Sequence, residues 1–255
     1  MTTDHFTADD VAQFTRDGHV IARGMVPAGT VARMREVALA HLAEARQPVE
    51  YEADTQYPGA PASRDAPGGR TVRRLLQAYA RDAVFQAWAC SPLLAARLRQ
   101  LLGAHVLLSQ AHHNCIMTKN PAYSSVTGWH RDIRYWSFEK AELVSVWLAL
   151  GEEHRSNGCL SLLPGSHRLD FAADQLDAAQ FLRTDHTANR ALLQTQVSAE
   201  LHAGDVLFFH CRLFHAALQN QTPDTKLSVV HTYHAADNHP LPGSRSAAMP
   251  DVYLI

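Results

Sequence analysis

The chain has 255 residues, 46% of them hydrophobic and 19% charged, with a formal net charge of −2. That length can bury one substantial core. The absence of any long block of one sign argues against a nucleic-acid groove or a basic membrane patch. No apolar run approaches the ~20 residues needed to cross a bilayer, and the polar start MTTDHFTADD does not read as a secretory signal.

The four cysteines, Cys90, Cys115, Cys159 and Cys211, form no C-x-x-C pair and read as small core residues of a reduced, cytoplasmic protein. Arginine outnumbers lysine by twenty to three, the lysines being Lys119, Lys140 and Lys226. Base composition of the genome is the simplest source of that bias.

The first third reads helical. Thr7 and Asp10 form a capping box, and Gly18 is placed to end the short helix that follows. A second helix is expected from about Pro27 to Arg46, with Val31, Met34, Ala38 and Leu42 as its apolar stripe and Val37 widening it. The Pro- and Gly-rich stretch YPGAPASRDAPGGR, Tyr57 to Arg70, reads as a surface loop, more simply a connector than a lid. Arg70, Arg73 and Arg74 then read as a solvated helix start, with recognition of an anion as the less common alternative. Ser91 and Pro92 open a further helix, which Gly103 closes.

From Val106 the pattern changes to short strands: VLLSQAHHNCIMTK, LVSVWLAL, CLSLL, VLFFH and KLSVVHTYH, divided by turn signals such as SNG, PGSH, AGD and TPDT. Strands with regular turns and no βαβ alternation predict an antiparallel sandwich or barrel. Leu169 to Gln194 is expected as a mostly helical insertion.

The stretch GWHRDIRYW holds His130 and Asp132, separated by one residue. With sixteen His and sixteen Asp in the chain, about one H-x-D is expected by chance, so context decides. A kinase catalytic loop is excluded: the position five residues after the Asp is Ser137, and neither a Gly-rich loop nor D-F-G is present. On a strand, residues i and i+2 share a side, so His130 and Asp132 can face one cation. A further imidazole would complete a two-histidine, one-carboxylate facial triad with open positions, the arrangement that suits iron(II). The best candidate is His215, expected near the end of the apolar strand after Gly204-Asp205. His210 reads as a buried, hydrogen-bonded histidine. His112 and His113 are rivals of which at most one can face inward.

Together these segments resemble the phytanoyl-CoA dioxygenase family of iron(II)- and 2-oxoglutarate-dependent oxygenases. WHRDIRYW is similar to the family's H-x-D segment, VWLALGEEHRSNGCLSLLPGSHR to its signature block, GDVLFFHCRLFHAALQN to the segment carrying the distal histidine, and DGHVIARGMVP to its first strand. The likeness runs from about Phe6 to His234.

The resemblance implies a mainly β fold with flanking helices (α+β), a double-stranded β-helix or cupin-like jelly roll, as one domain over 1–255. Its helical part would occupy about 1–105 and its jelly-roll core about 106–235. It implies His130, Asp132 and His215 as iron ligands, with Met117 and Trp147 beside 2-oxoglutarate. O2 would be consumed and an unactivated C–H bond of a small molecule hydroxylated, with release of succinate and CO2. Asp132 favours hydroxylation over halogenation, since related halogenases replace that carboxylate with a small residue; desaturation, cyclisation and epimerisation use the same oxidant. Alternatives are a metal-dependent jelly-roll enzyme that is not an oxygenase, or a non-catalytic metal- and 2-oxo-acid-binding protein. No nucleic acid or membrane partner is implied, and monomer or homo-oligomer is left open.

Two positions depart from the family. Lys226 stands eleven residues after His215, where an Arg usually grips the far carboxylate of 2-oxoglutarate, and Ala217 replaces a small hydroxyl residue. A chain this rich in arginine that places one of its three lysines there points to function for Lys226, although a lysine lacks the two-pronged fork of Arg. Lys119 also matches a family lysine and is a second cosubstrate candidate. Tyr135, Trp136 and Arg134 are substrate candidates. Strand phase puts Arg134, and not Arg131, on the metal side.

Overall fold

The computed structural model describes residues 4–55 and 57–255, so the first three residues of the polar N-terminal stretch, and with them part of the no-signal reading, lie outside the described residues. The N-terminal elements are α1 (Ala8–Asp17), β1 (His19–Ala22), α2 (Ala28–Ala43), β2 (Val49–Tyr51), β3 (Val72–Leu76), α3 (Ala78–Arg81), α4 (Ala83–Ala89) and α5 (Pro92–Leu102). The strand-rich part holds β4 (Val106–Lys119), β5 (Thr127–His130), β6 (Leu143–Ala149), β7 (Leu160–Leu162), α6 (Arg190–Leu193), β8 (Val197–Ala199), β9 (Val206–His210), β10 (His215–Ala217), β11 (Lys226–Ala235) and β12 (Val252–Tyr253).

The caps read from sequence are in place. Thr7 and Asp10 bond reciprocally at the start of α1, Gly18 ends it at φ 78°, and the Ser91 side chain accepts from Leu94 N at the start of α5. In α2, Val31, Met34, Val37 and Ala38 are buried and Leu42 packs at the margin of the core.

The strands form two antiparallel sheets, the double-stranded β-helix. The larger runs β1-β9-β6-β11-β4-β3-β2, with β12 also on β4; the smaller runs β5-β10-β7-β8. The central strands are buried on both faces. Along β9, Phe208 packs with the helices, whereas Leu207 and Phe209 pack between the sheets. On β11, Val229 and Tyr233 face the helices and Val230 faces the smaller sheet. Alternation therefore persists in the packing, even along β9, whose sequence is apolar from Val206 to Phe209.

Three expectations change. Residues 169–194 hold only 3-10 turns at Ala173–Gln175 and Thr187–Asn189 and the four-residue α6. The Asp177 carboxylate accepts from Ala179 N and Phe181 N, both at 2.9 Å, and Gln180 sits at φ 64°, so the chain turns back rather than winding on. Arg73 and Arg74 lie on β3, not on a helix start, and Arg73 is 3% exposed. His215 belongs not to the strand Val206–His210 but to β10, because the chain leaves the larger sheet at His210 and crosses to the smaller one.

His231, on β11, is 0% exposed, and neither ring nitrogen has a partner among the described residues. Burial pushes its pKa down to about 3. The unfolded imidazole takes its proton near ~6.5, so its contribution is intact above that pH and is lost as the pH falls from about 6.5 toward 3. His231→Leu removes an unsatisfied polar group. At pH 5 its thermal midpoint is expected about 2–4 °C above the parent's, with a smaller gain at pH 8. Denaturation scans at the two pH values check this; a fall at pH 5 would contradict it.

Candidate active site

The first two donors meet through strand register. β10 pairs with β5 so that His215 lies opposite His130, and paired residues on one face of an antiparallel ladder hold their Cβ atoms about 5 Å apart. The two rings stand 4.2 Å apart. Strand β5 ends at His130; Arg131 is still extended at φ −115°, and Asp132 opens a 3-10 turn through Tyr135. His130 and Asp132 therefore share a side as expected, but the strand phase does not continue to Arg134. One donor atom from each of His130, Asp132 and His215 lies within 4.8 Å of the other two, and all three residues are buried.

Both imidazoles are held in one tautomer. His130 Nδ1 donates to Gly128 O at 2.9 Å and His215 Nδ1 to Leu213 O at 3.0 Å, leaving each Nε2 lone pair toward Asp132. Burial, reinforced by His215, drives the His130 pKa down to about 3, so the ring is neutral. Burial alone would raise the Asp132 pKa, but His113, His215, His130 and the Ser145 hydroxyl, which donates to Oδ2 at 2.9 Å, bring it below the usual carboxylate value. Asp132 Oδ1 is buried without a hydrogen-bond partner. Two imidazole nitrogens aimed at one side and an ionised carboxylate with an orphaned oxygen fit a divalent cation.

The rival histidines separate. His210 is 8% exposed and bonds Glu142 at 2.9 Å. His112 turns away to Ser246 Oγ at 2.7 Å. His113 faces the site, its Nδ1 3.3 Å from Asp132 Oδ2, and burial lowers its pKa to about 4.

A cavity runs from His130 and His215 between the sheets, lined by Met117, Trp147, Lys119 and Lys226 among others. Its far end holds a group the sequence reading missed. Lys226 Nζ donates to Glu153 Oε2 at 3.0 Å and to Ser228 Oγ at 3.2 Å, and lies 4.9 Å over the Trp147 ring. Glu153 Oε1 accepts from Ser228 Oγ at 2.6 Å and from Trp147 Nε1 at 2.9 Å. In GEEHRSNG, Glu153 looks like a solvated turn residue; its only signal is the neighbouring Asn157-Gly158 turn.

Lys119 is the register partner of Lys226 on β4 and donates to Ser125 O and Leu218 O. No carboxylate among the described residues lies within ion-pair distance of it, whereas Arg73 pairs with Glu52 and Arg74 with Glu50. Burial, then the charge of Lys226, brings its pKa down to about 7. Gly158, at φ +75°, makes room for it: a Cβ there would strike Leu218 O and come 2.9 Å from Lys119 Cδ.

Beside the metal donors three aromatic rings from separate segments meet. Phe181, brought in by the Leu182 N to Trp129 O bond at 2.9 Å, lies 5.8 Å from the His130 ring, and Tyr135 lies 6.5 Å from it. Gly128 lets Phe181 approach, since a Cβ would sit 3.3 Å from its ring. Tyr57 packs edge-on against Phe181 at 5.9 Å, and its hydroxyl bonds that of Tyr135 at 2.9 Å. The 57–70 segment thus begins over the site instead of merely connecting. Trp136 instead is buried with Phe138, Leu143 and Cys211, its ring edge-on to His113 at 5.4 Å.

The backbone matches the solved structure of EctD from S. alaskensis with 2-oxoglutarate and 5-hydroxyectoine with a TM-score of 0.78 at 22% identity, covering 96% of this chain and 82% of that one. Jelly roll, donor set and lysine-ended cavity define a non-haem iron, 2-oxoglutarate-dependent oxygenase. The chain belongs to the phytanoyl-CoA dioxygenase family, whose sequence profile matches residues 14–228. It is 28% identical over 189 residues to an ectoine dioxygenase of Halomonas elongata, an alignment covering 68% of this chain and 56% of that protein. It is 25% identical over 255 residues to an ectoine dioxygenase of Bordetella parapertussis, covering 92% and 77%. No described helix is long and apolar enough to cross a membrane.

Removing one partner of a buried ion pair strands the other charge at a cost of about 3–5 kcal/mol, whereas replacing both with apolar groups is nearly neutral. Glu153→Leu and Lys226→Met are each expected to destabilise by that order, and the double variant Glu153→Leu/Lys226→Met to recover much of the loss. Urea titrations of the four proteins check this; additive losses would contradict it.

Proposed function

We propose that this protein hydroxylates an unactivated C–H bond of a small molecule, with His130, Asp132 and His215 holding iron(II) and the cavity holding 2-oxoglutarate. The carrying observation is the convergence of the three donors at one end of a cavity whose other end holds two ammonium groups and one carboxylate. Bound iron and 2-oxoglutarate would activate O2, which is the oxidant: one oxygen atom would enter the substrate and the other the succinate formed as 2-oxoglutarate is oxidised and decarboxylated, with CO2 released. The protein's own groups do the rest. The carbonyls of Gly128 and Leu213 fix the imidazole tautomers, and Ser145 steadies the carboxylate.

The far carboxylate of 2-oxoglutarate goes to the lysine end. Lys226 and Lys119 against Glu153 leave one positive charge there, matching one carboxylate. Lys226 alone is already half-committed to Glu153, so Lys119 carries much of the attraction. Met117 and Trp147 line the shaft between. The 255 residues act as one catalytic unit, a reading supported by β1, β2 and β3 from the N-terminal third lying within the larger sheet.

Under anaerobic conditions iron(II) and 2-oxoglutarate are expected to give a weak visible band, and admitting O2 to release succinate; His130→Ala should lose both. A protein that shows the band without turnover is a binder, and one that shows neither is no oxygenase. Lys119→Met is expected to raise the apparent Kd for 2-oxoglutarate about 10–100-fold, by the loss of a charged hydrogen bond.

The free-enzyme pKa of Lys119, about 7, sets a pH dependence. The ammonium is present below that value and lost above it, so affinity is expected to fall between pH 6.5 and 8.5. Lys119→Met should be flat across that range. Titration of the visible band in both proteins tests this, and parallel pH profiles would contradict it.

A further inference from the structure

We propose that Arg134 anchors an anionic oxygen group of the substrate at the aromatic cluster beside His130, so that the substrate is a small organic acid, a carboxylate or a phosphate monoester, with an apolar body. This rests on the oxygenase reading for what happens to the substrate, but not for its binding.

The guanidinium of Arg134 lies 4.0 Å over the Phe181 ring and 4.5 Å over the Tyr135 ring. Those are the rings that flank the His130 imidazole, at 5.8 and 6.5 Å. Arg134 is only partly buried, yet its Nη1 is sealed from solvent without an acceptor, and no carboxylate among the described residues pairs with it. The other two arginines on this side of the fold are committed, Arg73 to Glu52 and Arg74 to Glu50. Arg131, two peptide units past Trp129, stacks instead on Phe171 at 5.5 Å and Phe214 at 5.0 Å, within a separate apolar cluster.

A guanidinium presents five donors and stays charged at any working pH, and ring faces satisfy its charge but none of its hydrogen bonds. Stacking also fixes its plane, so a planar or tetrahedral oxygen group arriving beside the rings meets the remaining donors, Nε and Nη2, in a preset orientation. Phe181 and Tyr135 offer apolar walls beside that fork, and the hydroxyl contact of Tyr57 with Tyr135 closes the rim. An acid bound there has its anionic end on Arg134 and its remaining atoms against the rings, next to the His130 side of the donor set.

The probes are benzoate, phenyl phosphate and benzamide, which share a ring and differ in charge. Dissociation constants are measured by calorimetry on the apoprotein and on the anaerobic protein loaded with iron(II) and 2-oxoglutarate. Benzoate or phenyl phosphate is expected to bind at least about tenfold more tightly than benzamide, a difference of ~1.4 kcal/mol. Arg134→Gln should bring the anions to the benzamide level, and Arg134→Lys should keep part of the preference. Unchanged 2-oxoglutarate binding and an unchanged thermal midpoint in Arg134→Gln show that the fold and cosubstrate site are intact. Whichever of the two anions binds tighter tells carboxylate from phosphate. Equal binding of all three probes, a preference that survives Arg134→Gln, or no binding of any probe overturns the proposal. If the parent protein fails to take up iron and 2-oxoglutarate while the probes still discriminate, the oxygenase reading falls and the Arg134 site stands.

Discussion

The register between β5 and β10 is the constraint on which the site depends. It sets His215 opposite His130 across a ladder that carries only one further paired position, Ala217 with Thr127. A slip by one residue would turn either imidazole to the opposite face. The neighbours forbid the slip. β10 is paired on its other edge with β7, residue for residue from His215 to Ala217, and Ile133 N binds Cys211 O at 3.0 Å just beyond the donors. Phe209 then packs edge-on to His215 at 5.0 Å from the facing sheet. The donor geometry is thus a property of two sheets closing on one another.

The same closure puts charge where water cannot screen it, and the fold answers by pairing. Arg73 is matched by Glu52, with Nη1 also donating to the Ser125 hydroxyl and Nη2 to the Thr127 hydroxyl. Lys226 is matched by Glu153 inside a ring completed by Ser228 and Trp147. Paired groups of this kind contribute little net stability but are costly to break. Against that pattern, a partly buried cation left without a carboxylate stands out. Lys119 in the cavity and Arg134 in the aromatic cluster beside His130 are two such cations among the described residues.

Much of this was legible in the sequence. The strands β4, β9 and β11 were read almost to the residue, because turn signals bound each of them. The three candidate donors were named from the H-x-D spacing and the family likeness, and the fold brings them together, although His215 lies on a different strand from the one expected. The misreadings share a cause. Glu153, Arg73 and Arg74 are charged residues near turns, and residue type alone assigns them to solvent; only the tertiary partners Lys226, Glu52 and Glu50 bring them inside. Phe181 is one apolar residue in a polar insertion, and its place beside His130 follows from the Asp177 turn and the backbone bond to Trp129, neither of which leaves a periodic signal.

The same contrast runs through the site. The cavity is walled by strand residues, Met117, Trp147 and Lys226 among them, whose positions the two sheets over-determine. The aromatic cluster beside His130 is different: Tyr57, Tyr135 and Phe181 come from a Pro-rich loop, a 3-10 turn and an irregular insertion. Such segments accept replacement without disturbing either sheet. A lysine in place of the family's arginine on the strand side fits the same logic. The compact ammonium of Lys226 sits between Glu153, Ser228 and the face of Trp147, and a longer planar guanidinium would have to displace Glu153 from its bonds to Ser228 and Trp147 before it could reach the cavity.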